Sequence, residues 1–204
     1  MRGLRRNRCQ NFFVQPRQRP VLVPQLAFLL FLLCTGRLST LSFVAPLEAQ
    51  SAPFSISSPS FPNGGNIPKQ FSCDGADVSP QLSWTEAPAE TVSFALLVDD
   101  PDAPAGNWNH WAIWNVPASS RSLPEGVSKS RRLPDGSQQG LNDFRKVGYN
   151  GPCPPANKTH RYHFQLFALD RKLTLTGDAG KPELEAAMKG HIRAQAEWVG
   201  TFHH

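Results

Sequence analysis

The first 47 residues contain no aspartate or glutamate, while arginine stands at Arg2, Arg5, Arg6, Arg8, Arg17, Arg19 and Arg37. The chain also has little uninterrupted apolar sequence. Its one compact run, Val21–Cys34, is short against the about 20 residues that a membrane-spanning helix needs, and Pro24 breaks it. A basic start, a short apolar block and then small residues read as a secretory signal peptide. Cleavage after Ala49 or Ala52 fits the small-residue rule, with Leu47 a poor third residue before the first of these cuts. Leu33 is too bulky to precede a lipidated Cys34. An organelle transit peptide shares the arginine-rich, acid-poor composition, but the compact apolar block favours secretion. The reading is therefore a leader over residues 1–49 and one domain over 50–204, placed outside the cell or in the periplasm. An uncleaved leader acting as a membrane anchor stays open.

Beyond the leader there is no excess of either charge. Residues 50–204 carry 14 Lys and Arg against 15 Asp and Glu, a balance of −1 with His neutral. The high pI of the whole chain belongs to the leader, so the electrostatic footprint of a nucleic-acid binder is missing. No internal repeat is present. No Gly-x-Ser-x-Gly elbow marks a hydrolase, and no His-x-x-x-His spacing marks a metal site. No cofactor is implied. Cysteine is scarce: Cys9 and Cys34 fall in the leader, leaving Cys73 and Cys153. In an exported protein such a pair is a disulfide candidate, and two independent buried thiols are the alternative. The 155 residues after the leader suffice for one sizeable core.

What is present is short strands. Residues 50–68 are rich in Ser, Pro, Gly and Asn and read as an opening strand followed by loop. Thr91–Val98 is apolar and bounded by Pro and Asp, the pattern of a buried strand. Trp111–Val116, stopped by Pro117, is a second. Arg161–Leu169 is a third, with Tyr162, Phe164, Leu166 and Ala168 on one face and Arg161 and His163 on the other. Residues 118–150 lack apolar periodicity and read as a long connection with short strands at most. Pro182–Lys189 has a first-turn proline, an apolar stripe of Leu184, Ala187 and Met188, and Gly190 at its end, which predicts a helix. His191–Val199 alternates again and predicts a closing strand. The fold class is mostly β, with one late helix.

Two polar, proline-rich segments lie where strands meet loops, the usual place for binding groups on a rigid scaffold. One is Asp99-Asp-Pro-Asp-Ala-Pro104, followed by Asn107-Trp-Asn-His-Trp111. The other is Gly148-Tyr-Asn-Gly-Pro-Cys-Pro-Pro155, followed by Thr159-His-Arg-Tyr162. Together they resemble the two signature blocks of the phosphatidylethanolamine-binding (Raf kinase inhibitor-like) family. Phe71–Pro80 with Trp84, and Ala187–Ile192 through Val199–Phe202, resemble the opening and end of its bacterial and archaeal branch.

The resemblance implies two antiparallel sheets packed sandwich-like and a small pocket for phosphate, a phospholipid headgroup or an acetate-like anion. By motif position the pocket residues are Asp100, His110, His160 and Tyr162, walled by Pro101, Pro104, Gly151 and Pro152. Asp102 either joins them or holds the loop. Cys73 and Cys153 belong to blocks that border the pocket loops. Family members resemble inhibitors of kinases or proteases, so an inhibitory partner is implied as well.

The chemistry of the residues agrees in part. A phosphate needs clustered donors, which His110, His160 and the Tyr162 hydroxyl can supply. Backbone amides of the Gly148–Gly151 turn could form an anion nest. The Asp100 carboxylate would repel an anion unless it orients a histidine. Each feature has a plainer reading: Asp-Pro-Asp-Ala-Pro as a turn, His110 as a core histidine, and Trp108, Trp111, Trp114 and Tyr162 as packing. Two other functions remain beside small-anion binding. One is a macromolecular inhibitor with a vestigial pocket. The other is a hydrolase in which Asp100 and His110 activate Ser79.

Overall fold

The computed structural model describes residues 53–204; the leader lies outside the described residues. In chain order the elements are β1 (Ile56–Ser57), β2 (Leu82–Trp84), β3 (Ser93–Asp100), β4 (Trp108–Pro117), β5 (Ser122–Leu123), β6 (Gln138–Gln139), β7 (Thr159–Leu169), helix α1 (Lys181–Met188) and β8 (Ile192–His203). Two antiparallel sheets result. The small one has the order β1-β2-β5, and the large one β6-β4-β3-β7-β8.

Strand β3 is buried along its whole length because both faces of the large sheet are covered. Phe94, Leu96 and Val98 point inward, toward the small sheet. There they meet Ile56, Leu82, Trp84 and Leu123, together with Ile113 of β4 and Phe164 and Leu166 of β7. Ala95 and Leu97 point outward and pack with Ala112, Trp114, Leu184 and Met188 under α1. Burying each large apolar side chain contributes about 1.5–3 kcal/mol before the entropy of ordering it. Helix α1 starts at Lys181 with Pro182 in its first turn, and the Glu183 carboxylate reaches back to the Gly180 amide at 3.0 Å.

The strands run further than the sequence pattern suggests. β4 begins at Trp108, before the expected Trp111, and β8 runs on to His203, past the expected Val199. Pairing explains both. β8 stays hydrogen-bonded to β7 as far as Thr159↔His203, and β3 keeps β4 paired to Asp100↔Trp108. The ladder hydrogen bonds at a strand end are made by the backbone and do not require an apolar side chain, so they offset the entropy of ordering a polar residue there.

The β3–β4 ladder contains an irregularity that positions the site. Val98 pairs with Trp111 and Asp99 with Asn109, so His110 has no Cα partner. This is a β-bulge, which re-aims side chains at a strand end. Without it, His110 and Trp111 would face opposite ways. With it, Trp111 joins the inner core while His110 also turns inward, beside Asp100 and His160.

Candidate functional site

The inner face of the large sheet ends in a cavity of about 240 Å³. Asp100, His110 and His160 line it from the ends of β3, β4 and β7. Its walls are Ala103, Pro104 and Ala105 on one side, Trp108 and Phe144 on another, and Cys153 and Pro155 on a third.

Asp100 Oδ2 accepts a hydrogen bond from His160 Nδ1 at 2.8 Å, both side chains being almost wholly buried. The second Asp100 oxygen accepts from the Asp102 amide at 2.9 Å, which turns the chain at Pro101. Asp102 faces away from the cavity. Its carboxylate accepts from the Arg161 amide, Nε and Nη2 at 2.9, 2.9 and 2.7 Å. The Arg161 guanidinium hydrogen-bonded to Asp102 holds that carboxyl down at about 2. Asp102 is thus the residue that fastens the 101–107 loop to β7.

His110 has a different neighbour. Its Nδ1 lies 2.7 Å from the Asn150 carbonyl, and since a carbonyl has no proton to give, the ring nitrogen donates. Tyr162 and Phe144 meet the ring edge-to-face at centroid distances of 5.2 Å each. Burial pushes the His110 pKa below its usual value, against the Asn150 carbonyl and the Asp100 charge, which raise it. Among the described residues neither His110 Nε2 nor His160 Nε2 has a hydrogen-bond partner, and neither is sealed from the cavity.

The remaining sequence candidates lie around the cavity rather than in its lining. Tyr162 is fully buried behind His110. Its hydroxyl makes no hydrogen bond of good geometry, yet burial, followed by the neighbouring Asp100 charge, raises the phenol far above its ordinary range. Pro101 is exposed. Gly151 and Pro152 are buried beneath the rim, where Cys153 and Pro155 take the wall positions. Gly151 is required for close approach: a Cβ there would sit 2.0 Å from the Phe71 carbonyl oxygen.

The expected amide nest does not face the cavity. The Gly151 amide is spent on Asp77 Oδ1 at 2.6 Å and the Asn150 amide on the His110 carbonyl at 3.0 Å. Asp77 also accepts from Asn150 Nδ2 and Lys129 Nζ. Cys73 and Cys153 form a disulfide with Cα atoms 5.5 Å apart, and beside it the Cys73 amide donates to the Pro152 carbonyl. Phe144 and Asp77 complete the site. Phe144 sits in a stretch without periodicity and no sequence signal marked it, whereas Asp77 falls in the Phe71–Pro80 block, whose resemblance assigned it no role in the site. Ser79 does not line the cavity; its hydroxyl accepts from the buried Val127 amide at 3.0 Å. Among the described residues no cluster of three or more His, Cys, Asp or Glu side chains is placed to hold a metal ion.

Fold and cavity together define a two-sheet β domain with a small preformed pocket at the strand ends of its larger sheet. The chain belongs to the phosphatidylethanolamine-binding protein family, whose model matches residues 57–203. It is 48% identical over 142 residues to a UPF0098 protein of Methanothermobacter thermautotrophicus, covering 70% of this chain and 93% of that one. A UPF0098 protein of Aquifex aeolicus is 44% identical over 157 residues, 76% and 91% of the two chains. Among solved structures, a phosphatidylethanolamine-binding protein homolog from Chlamydia trachomatis superposes with a TM-score of 0.69 at 38% identity. That match covers 76% of this chain and 99% of that one.

Proposed function

We propose that the cavity binds a small phosphate-type anion, free or as the phosphoryl part of a phospholipid headgroup, in an exported protein. The observation that supports this reading best is the Asp100–His160 pair. The carboxylate is committed to the Nδ1 side of the ring, so His160 can protonate at Nε2 as an anion enters. The imidazolium then stands between two negative groups and donates to each. Such charge-assisted hydrogen bonds are worth about 1.5–3 kcal/mol each. The apolar walls of Pro104, Trp108 and Phe144 exclude water and strengthen the interaction.

The placement of the groups supports the binding reading over a catalytic one. Asp100 is engaged by His160, and among the described residues lining the cavity there is no free hydroxyl or thiol nucleophile, Cys153 being held in the disulfide. The 101–107 loop walls the cavity and is exposed on its outside, so a kinase or protease partner inhibited by this domain would meet the bound anion there. Native mass spectrometry of protein equilibrated with phosphate tests the reading. A retained phosphate adduct is expected in the wild type and its loss in His160→Ala. No adduct in the wild type, or equal occupancy in both proteins, would overturn it.

A further inference from the structure

The two histidines of the cavity are not equivalent, and the difference bears on what the ligand itself must carry. His160 has a carboxylate behind its Nδ1, whereas His110 has a neutral carbonyl, that of Asn150. Only one ring can become the donor without strain. The one backed by Asp100 gains a charge partner on protonation, whereas a second imidazolium at His110 would be buried against Tyr162 and Phe144 with a charged neighbour ring across the cavity. The other charged groups nearby do not change this assignment. Asp102 is engaged by Arg161, and Asp99 faces the opposite side of the sheet, where Lys181 holds it.

The His110 tautomer is fixed in turn. Its proton sits on Nδ1, donated to Asn150, and its Nε2 presents a lone pair to the cavity. An anion whose oxygens are all acceptors would place one lone pair against another. We infer that the cavity is built for an anion that brings its own proton: His160 donates to an anionic oxygen while His110 accepts from an acidic hydroxyl of the same group.

Resting on the anion-binding reading above, this names the ligand class as a singly ionised phosphate or phosphomonoester. It disfavours the phosphodiester of an intact phospholipid, whose phosphoryl group has no hydroxyl. A buried polar atom left without its partner is the most effective discriminator between otherwise identical ligands.

Methyl phosphate and methyl sulfate form the appropriate probe pair. As monoanions they have the same shape and charge, and only the phosphate keeps a hydroxyl. The measurement is calorimetric titration of both into the wild-type protein at about pH 5, below the second ionisation of a phosphomonoester near about 6, so that the methyl phosphate keeps its hydroxyl. Dimethyl phosphate serves as a third arm that stands for the lipid diester. Methyl phosphate is expected to bind about tenfold or more tightly than either of the others. Equal affinity for methyl phosphate and methyl sulfate would overturn this inference and leave anion binding intact. Tighter binding of dimethyl phosphate would overturn it in favour of the lipid headgroup. Absence of binding by all three would instead remove the anion-binding reading on which it rests. His110→Gln, whose amide can turn either an N–H or an oxygen to the ligand, is expected to bring the methyl phosphate to methyl sulfate ratio toward one. An unchanged ratio in that variant would mean that His110 is not the discriminating group.

Discussion

Asp99 and Asp100 are neighbours on one strand, equally buried, and they point to opposite faces of the same sheet. On the outer face Asp99 meets Lys181 Nζ at 2.7 Å and Asn109 Nδ2 at 3.0 Å, beneath helix α1. On the inner face Asp100 meets His160 at 2.8 Å and the Asp102 amide. The first arrangement ends in the protein: the cation belongs to the helix that covers the sheet, and its contacts tie α1 to β3. The second leaves one ring nitrogen, His160 Nε2, open to a cavity. A buried carboxylate alone therefore marks neither a structural site nor a binding one. What separates the two is whether a polar atom of the partner opens onto a cavity: Asn109 Oδ1 is left unpartnered too, but it is sealed in the interior.

The largest effect expected from this contrast is on stability. Removing one member of a buried ion pair strands the other, at a cost of about 3 kcal/mol or more. Asp99→Asn is therefore expected to lower the unfolding free energy, measured by urea denaturation, by about 3 kcal/mol. Lys181 keeps a small exposure and Asn keeps some hydrogen bonding, which sets the lower end of that range. A change below about 0.5 kcal/mol, the level of an ordinary surface substitution, would mean that the outer pair is not the clamp described.

A smaller effect is expected from His110 and carries a sign. Its folded pKa lies below the ordinary value of about 6.5, because burial favours the neutral ring. Above that value both folded and unfolded chains hold a neutral ring, and His110 contributes no pH dependence. As the pH falls below about 6.5 the unfolded chain takes up a proton that the folded one refuses, so stability drops. His110→Gln should remove that part of the acid sensitivity. Urea midpoints for both proteins at pH 7.5 and pH 5 would show it as a smaller decline in the variant. An equal or steeper decline would contradict the buried, neutral ring.

Much of the fold and part of the site were legible in the sequence, and the limits were physical. The strands around Phe94–Val98, Trp111–Val116 and Tyr162–Ala168 follow from alternation, and the helix from Pro182, its stripe and Gly190. Asp100, His110 and His160 could be singled out because two short blocks resembled one family's. The opposite roles of Asp99 and Asp100 could not, since the partner of Asp99 lies 82 residues away on α1. The inward turn of His110 could not either: a bulge is a property of two paired strands, and no single strand encodes it.

Residue identity alone made both histidines look like equivalent donors to an anion. The structure distinguishes their surroundings: the buried His110 ring has a carbonyl where His160 has a carboxylate. The amide nest expected around Gly148–Gly151 failed for a similar reason. Asp77, brought in from a distant loop, consumes the Gly151 amide.

The central claim is that the inner carboxylate serves a ligand and the outer one serves the fold. Calorimetric titration of phosphate into the wild type, Asp99→Asn and Asp100→Asn tests it most directly. The account predicts equal affinity for the wild type and Asp99→Asn, and a loss of about tenfold or more in Asp100→Asn, where His160 no longer has a charge behind it. Equal affinity in Asp100→Asn, or no binding by the wild type, would contradict it.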